Sequence, residues 1–137
     1  MKRAQLYEAT RLHYSQIEKQ LKIFDFLFTS LSLNFDMQAQ TQTNWCWAAT
    51  AVSVSRFYWS WSNWDQCEVA NSELSLSSCC DSPVPGACNV PWYLDRALTR
   101  TNNFVSITGA ATYAEVRAEL QAGRVVGARV AWSGGGG

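Results

Sequence analysis

An α+β fold is predicted by three features of the sequence. Helix-start signals recur between Asn44 and Leu98, a period-two strand pattern appears near the end, and the helices come first. The length of 137 residues fits one domain able to bury its own core.

The first 35 residues read as a separate leader or upstream extension. Tyr14, Ile17, Leu21, Phe24 and Phe28 recur at spacings of three and four, which predicts an amphipathic helix over residues 1 to about 30. The expected organisation is therefore a helical leader or upstream extension over 1–35 and the domain proper over 36–137. Lys2 and Arg3 precede a fairly apolar stretch, but Glu8, Glu18 and Asp25 interrupt it, so it reads as a leader and not as an export signal. A secreted location is compatible with the cysteine content alone. No run approaches the roughly 18 apolar residues of a membrane span, so no membrane partner is expected.

The polar segment from Leu31 to Thr43 connects to the next helix. Asn44 is placed to cap a helix over roughly Trp45 to Trp59, whose Ala48, Ala49, Ala51, Ser53 and Ser55 allow close approach by neighbours. Asp65 can cap a second helix running through Val69 and Ala70 towards Leu74. Pro83 and Pro85 mark a loop over Ser77–Gly86. Asn89 and Pro91 open a third helix carrying Leu94, Ala97 and Leu98. Phe104 to Ile107 is a short strand. Thr112 and Glu115 have capping-box spacing, and the helix they start ends near Gly123. Val126, Ala128, Val130 and Trp132 then alternate as one face of a strand.

Composition narrows the function classes. The 11 basic residues match the 11 acidic ones, which gives no electrostatic reason to expect a nucleic-acid partner. Five cysteines are an odd number, so complete disulfide pairing would leave one thiol over. Cys67, Cys79, Cys80 and Cys88 cluster, while Cys46 stands apart. Adjacent Cys79 and Cys80 do not match the C-x₂₋₄-C spacing of zinc ligands, so disulfides are favoured over a metal, with the connectivity left open. No metal and no cofactor are expected.

Cys46 falls in the first turn of its helix. Unpaired backbone N–H groups and the helix dipole favour negative charge there, and the thiolate is the reactive form of cysteine. Gln40, six residues earlier, can fold its carboxamide back towards the sulfur and help bind a developing oxyanion. Trp47 can shield the site from water.

Gln40, Cys46 and Trp47 together resemble the oxyanion glutamine and nucleophile of papain-like cysteine peptidases. The string Asn44-Trp-Cys-Trp-Ala-Ala49 resembles the bacterial members related to avirulence peptidases of plant pathogens. Gln66-Cys-Glu-Val-Ala-Asn71, Cys79-Cys80, Cys88-Asn89, Pro91-Trp-Tyr-Leu-Asp-Arg96 and the stretch from Gly127 to Gly137 resemble the same subgroup. The resemblance implies a papain-like fold for 36–137, incomplete at its C-terminal end. It also implies a central nucleophile helix in a helical first half and the start of an antiparallel sheet. Further, it implies hydrolysis of peptide bonds through a thioester on Cys46, a peptide or protein substrate, and substrate contacts from Trp45, Trp47 and Trp132.

Such an enzyme needs a histidine base, and the resemblance puts it directly after the glycine-rich turn where this chain ends. The one histidine, His13, lies far upstream in the leader. The chain as given is therefore expected to be inactive on its own. The alternative is a non-catalytic peptide-binding remnant whose aromatic cleft would use Trp45, Trp47, Trp92 and Trp132.

Overall fold

The computed structural model describes residues 4–8 and 31–129. The apolar stripe from Tyr14 to Phe28, His13, and the end of the chain with Trp132 and the glycine run lie outside the described residues. Helix α1 spans Cys46–Tyr58, α2 Gln66–Leu74, α3 Leu94–Arg100 and α4 Tyr113–Gln121. Strand β1 is Ala4–Glu8, β2 Phe104–Thr108 and β3 Val126–Arg129. The described residues thus form a small α+β domain. None of its helices is long and apolar enough to cross a membrane.

Helix α1 is buried on nearly every side. Trp47, Ala48, Ala49, Ala51, Val52 and Val54 are each at most 1% exposed, and α2 and α3 both pack on this helix. Four of its first six residues being alanine or threonine explains the close approach: with no bulk on those faces, neighbouring helices come in against the backbone. Val69 and Ala70 from α2 and Ala97 and Leu98 from α3 complete the centre. Burying a side chain such as Val52 or Leu98 stabilises by roughly 1.5–3 kcal/mol. The serines on α1 are buried without loss: Ser53 Oγ donates to the Ala49 carbonyl at 2.7 Å and accepts the Gln38 N–H at 2.9 Å. Leu33 and Phe35, just upstream of the expected boundary at 36, also pack on this core.

The caps follow the local chemistry with two exceptions. Glu68 accepts the Asp65 N–H at 3.1 Å, and Glu115 accepts the Thr112 N–H at 2.7 Å, so α2 and α4 begin with capping boxes. Helix α4 ends at a Schellman turn, where Gly123 has φ +71° and Arg124 N–H donates to the Glu119 carbonyl at 2.9 Å. Asn44, however, does not cap α1; Trp45 is the N-cap residue and Asn44 is engaged with Asn89. Helix α3 likewise begins at Leu94, several residues after Asn89 and Pro91.

Two sheet expectations are corrected. Residues 4–8, expected within the leader helix, are extended. β1 pairs in parallel with β2 on one side and β3 on the other, in the order β2-β1-β3. Ladder bonds available on both edges outweigh a local helical preference, since strand formation depends on context. The sheet is also parallel where an antiparallel one was expected. The reason is the crossover through α4, which returns the chain to run β3 in the direction of β2.

Candidate nucleophile site

Two bridges tie the cluster together: Cys67 with Cys80 and Cys79 with Cys88. Cys46 is left as the free thiol, and it is exposed. It is the first residue of α1, flanked by Trp45 and Trp47, both buried at 1% exposure. The segment therefore turns two indoles inward and one thiol outward. No acidic residue lies in the first turn of α1 to oppose negative charge on the sulfur.

Each indole finds its polar partner inside. Trp45 Nε1–H donates to the Cys88 carbonyl at 2.6 Å and Trp47 Nε1–H to the Val90 carbonyl at 3.0 Å. This corrects the expectation that Trp45 and Trp47 contact substrate: their rings belong to the core, and neither offers a face to a ligand. Helix periodicity explains the error, because residues 45 and 47 lie far apart in angle on an ideal helix. Trp45 reaches the interior only because it is the non-helical cap residue, with φ −97° and ψ 25°. Trp92, only partly buried, donates its Nε1–H to Glu73 Oε2 at 3.0 Å. Trp132 lies outside the described residues.

Gln40 is exposed, and its Nε2 donates to the Thr43 carbonyl at 2.8 Å. A carboxamide nitrogen carries two protons, so this bond uses one of them. The amide therefore braces the turn that leads into α1. That turn is closed by Trp45 N–H donating to the Gln42 carbonyl at 3.2 Å.

Sequence reasoning missed two amides that hold the approach to Cys46. Gln66, 6% exposed, accepts the Thr41 N–H at 2.9 Å and donates to the Ala39 carbonyl at 2.9 Å. A buried amide must satisfy both its ends, and this one does so on the loop from 38 to 41. Asn89 holds the following residues, accepting the Asn44 N–H at 2.9 Å and donating to Thr43 Oγ1 at 2.9 Å. Both residues stood within recognisable strings, but nothing local to them marks a partner tens of positions away.

The described surface includes open hollows away from Cys46. One, of about 490 Å³, is lined by Asn63, Trp64, Glu68, Asn71 and Ser72; another, of about 430 Å³, by Glu73, Arg96, Thr99 and Arg100. Cys46 and Gln40 line neither. Among the described residues no cluster of histidine, cysteine or carboxylate side chains could hold a metal ion.

Comparison with protein-family models, with curated proteins and with solved structures gave no match to this chain.

Proposed function

We propose that this chain carries the nucleophile of a papain-like cysteine peptidase, with Cys46 as the attacking thiol. One observation carries the reading. Of five cysteines, four are consumed in bridges, and the fifth stands exposed at the first residue of a buried helix. Structural thiols are ordinarily buried and inert, whereas a reactive one needs access and a setting that favours the thiolate. In the reaction Cys46 Sγ bonds to the substrate carbonyl carbon, the C–N bond breaks, and the amine leaves with a proton. Water then hydrolyses the thioester. Gln40 is the proposed oxyanion donor, through the amide proton that Thr43 does not take. No histidine occurs among the described residues, so the proposal assigns the nucleophile and not the base.

The test uses the full chain and a peptidyl thioester, whose thiol leaving group departs without a general acid. Acyl transfer to Cys46, followed by intact mass, should saturate with peptidyl thioester concentration. An acetyl thioester with the same leaving group should react slowly and without saturation. Casein should not be cleaved by the chain alone, and imidazole in solution should restore slow thioester turnover that Cys46→Ala abolishes. Equal, unsaturable transfer from both thioesters, or casein cleavage that survives Cys46→Ala, would overturn the reading.

A further inference from the structure

We infer that Cys88–Asn89–Val90 is a strap that positions the Cys46 thiol, with Asn89 as the positioning residue and the Cys79–Cys88 bridge as its anchor. The inference rests on reading Cys46 as the reactive thiol and goes beyond it by assigning what holds that thiol in place.

Every residue around Cys46 is bonded to the strap. Thr43 Oγ1 accepts from Asn89 Nδ2 at 2.9 Å. Asn44 is held twice, its N–H donating to Asn89 Oδ1 at 2.9 Å and its Nδ2 to the Asn89 carbonyl at 2.9 Å. Trp45 donates to the Cys88 carbonyl and Trp47 to the Val90 carbonyl. Between Thr43 and Trp47 only Cys46 makes no hydrogen bond to the strap, and its side chain is exposed between two buried indoles. The strap thus holds the Asn44 backbone before the thiol and the Trp45 and Trp47 indoles on either side of it, and leaves the sulfur accessible.

Asn89 is the only strap residue whose side chain bonds to the start of α1; Cys88 and Val90 reach it through their carbonyls. Its partner Asn44 immediately precedes the N-cap residue of α1, so the pair sets the direction in which the chain enters the helix. The anchor continues away from the site: Cys88 is bridged to Cys79, whose N–H donates to Asn71 Oδ1 of α2 at 2.8 Å. A continuous line of bonds therefore runs from α2 through the bridge and Asn89 to the start of α1.

The consequence for reactivity is physical. The unpaired N–H groups of a first helical turn favour an anion only while that turn is formed and the anion stays over it. A first turn free to fray loses that stabilisation, and a nucleophile displaced from it attacks more slowly.

The experiment is the rate of iodoacetamide alkylation at Cys46 in the full, oxidised chain at one fixed, near-neutral pH, read by peptide mass. Asn89→Ala should slow alkylation by roughly two- to fivefold, the size of a helix-terminus effect. Thr43→Val, an isosteric change at an exposed position, should slow it by less. Tyr58→Phe, at the far end of α1, is the control for general destabilisation and should leave the rate unchanged.

If Asn89→Ala and Thr43→Val both react at the parent's rate in folded protein, the inference fails. It fails equally if Tyr58→Phe slows alkylation as much as Asn89→Ala does. Should Asn89→Ala not fold, Thr43→Val decides alone. Alkylation by a small reagent needs no substrate site, so failure of the peptidase reading is seen separately, in the thioester assay.

Discussion

Trp45 Nε1–H and the Cys88 carbonyl oxygen lie 2.6 Å apart, joining the start of α1 to a residue 43 positions later that is itself bridged to Cys79. The indole therefore locks the helix start to the disulfide cluster. Trp45→Phe keeps most of the ring volume but leaves a buried carbonyl without its donor, an expected loss of about 1–3 kcal/mol. Trp45→Ala should lose about 3–5 kcal/mol, because a cavity opens as well. Urea unfolding with the bridges intact measures both. A Trp45→Phe variant as stable as the parent would show that the bond contributes nothing.

The bridge pattern predicts where a freed thiol appears. Because Cys79 and Cys80 are adjacent, no protease separates them, and digestion alone cannot distinguish the pairings. Cys80→Ser can. With Cys67 bonded to Cys80, that substitution should add a second alkylated site at Cys67 beside Cys46, with Cys79–Cys88 still closed. A label appearing on Cys88 in place of Cys67 would mean the crossed pairing.

Burial pushes the Tyr58 hydroxyl above its ordinary value of 10.0, against the opposing effect of the Val125 N–H, which donates to it at 2.7 Å. A pKa raised by folding gives stability that is whole below the unfolded value and is lost as pH rises through the folded one. Unfolding free energy should therefore fall as pH climbs past about 10. Tyr58→Phe should flatten this alkaline limb and cost about 1–3 kcal/mol at neutral pH, since Val125 N–H loses that acceptor. A variant with an unchanged alkaline limb would assign the pH dependence elsewhere.

What the sequence made legible was whatever is decided within a few residues. Thr112 and Glu115 announce a capping box, and the box is there because its two bonds span three positions. The run of small residues from Ala48 announces a buried helix, and α1 is buried. The site was legible to the same depth: an odd cysteine at a helix start, and four others with reason to pair. The rest depends on distant partners. Asn44 looks like a cap from its neighbours alone; only the fold brings Asn89, 45 positions away, to claim its N–H. Trp45 and Trp47 look like a cleft beside a nucleophile until carbonyls of Cys88 and Val90 draw their indoles inward. Ala4–Glu8 reads as part of a helix because nothing local reveals the two strands that flank it.

Glu119 and Arg124 meet twice at the end of α4, and this doubling makes an acid-side prediction. Arg124 N–H closes the Schellman turn on the Glu119 carbonyl at 2.9 Å, while its guanidinium Nη2 donates to Glu119 Oε1 at 2.9 Å. The hydrogen bond from Arg124 holds the carboxyl below its ordinary value of 4.5, with the guanidinium charge adding to the effect and partial burial opposing it. A pKa lowered by folding gives stability that is present above the unfolded value and is lost as pH falls through the folded one. The window is therefore acidic, from about 4.5 downward. The Arg124 side chain is 40% exposed, so solvent screening keeps the contribution below about 1 kcal/mol. Glu119→Gln keeps an acceptor for Arg124 but cannot ionise. It should be slightly less stable than the parent at neutral pH, and the two stabilities should converge as pH falls below about 4.5 and the parent carboxyl takes up its proton. The measurement is unfolding free energy against pH for the two proteins. A difference that stays constant across the acid range would mean that the Glu119 charge contributes nothing, leaving the backbone turn at Gly123 to hold the end of the helix alone.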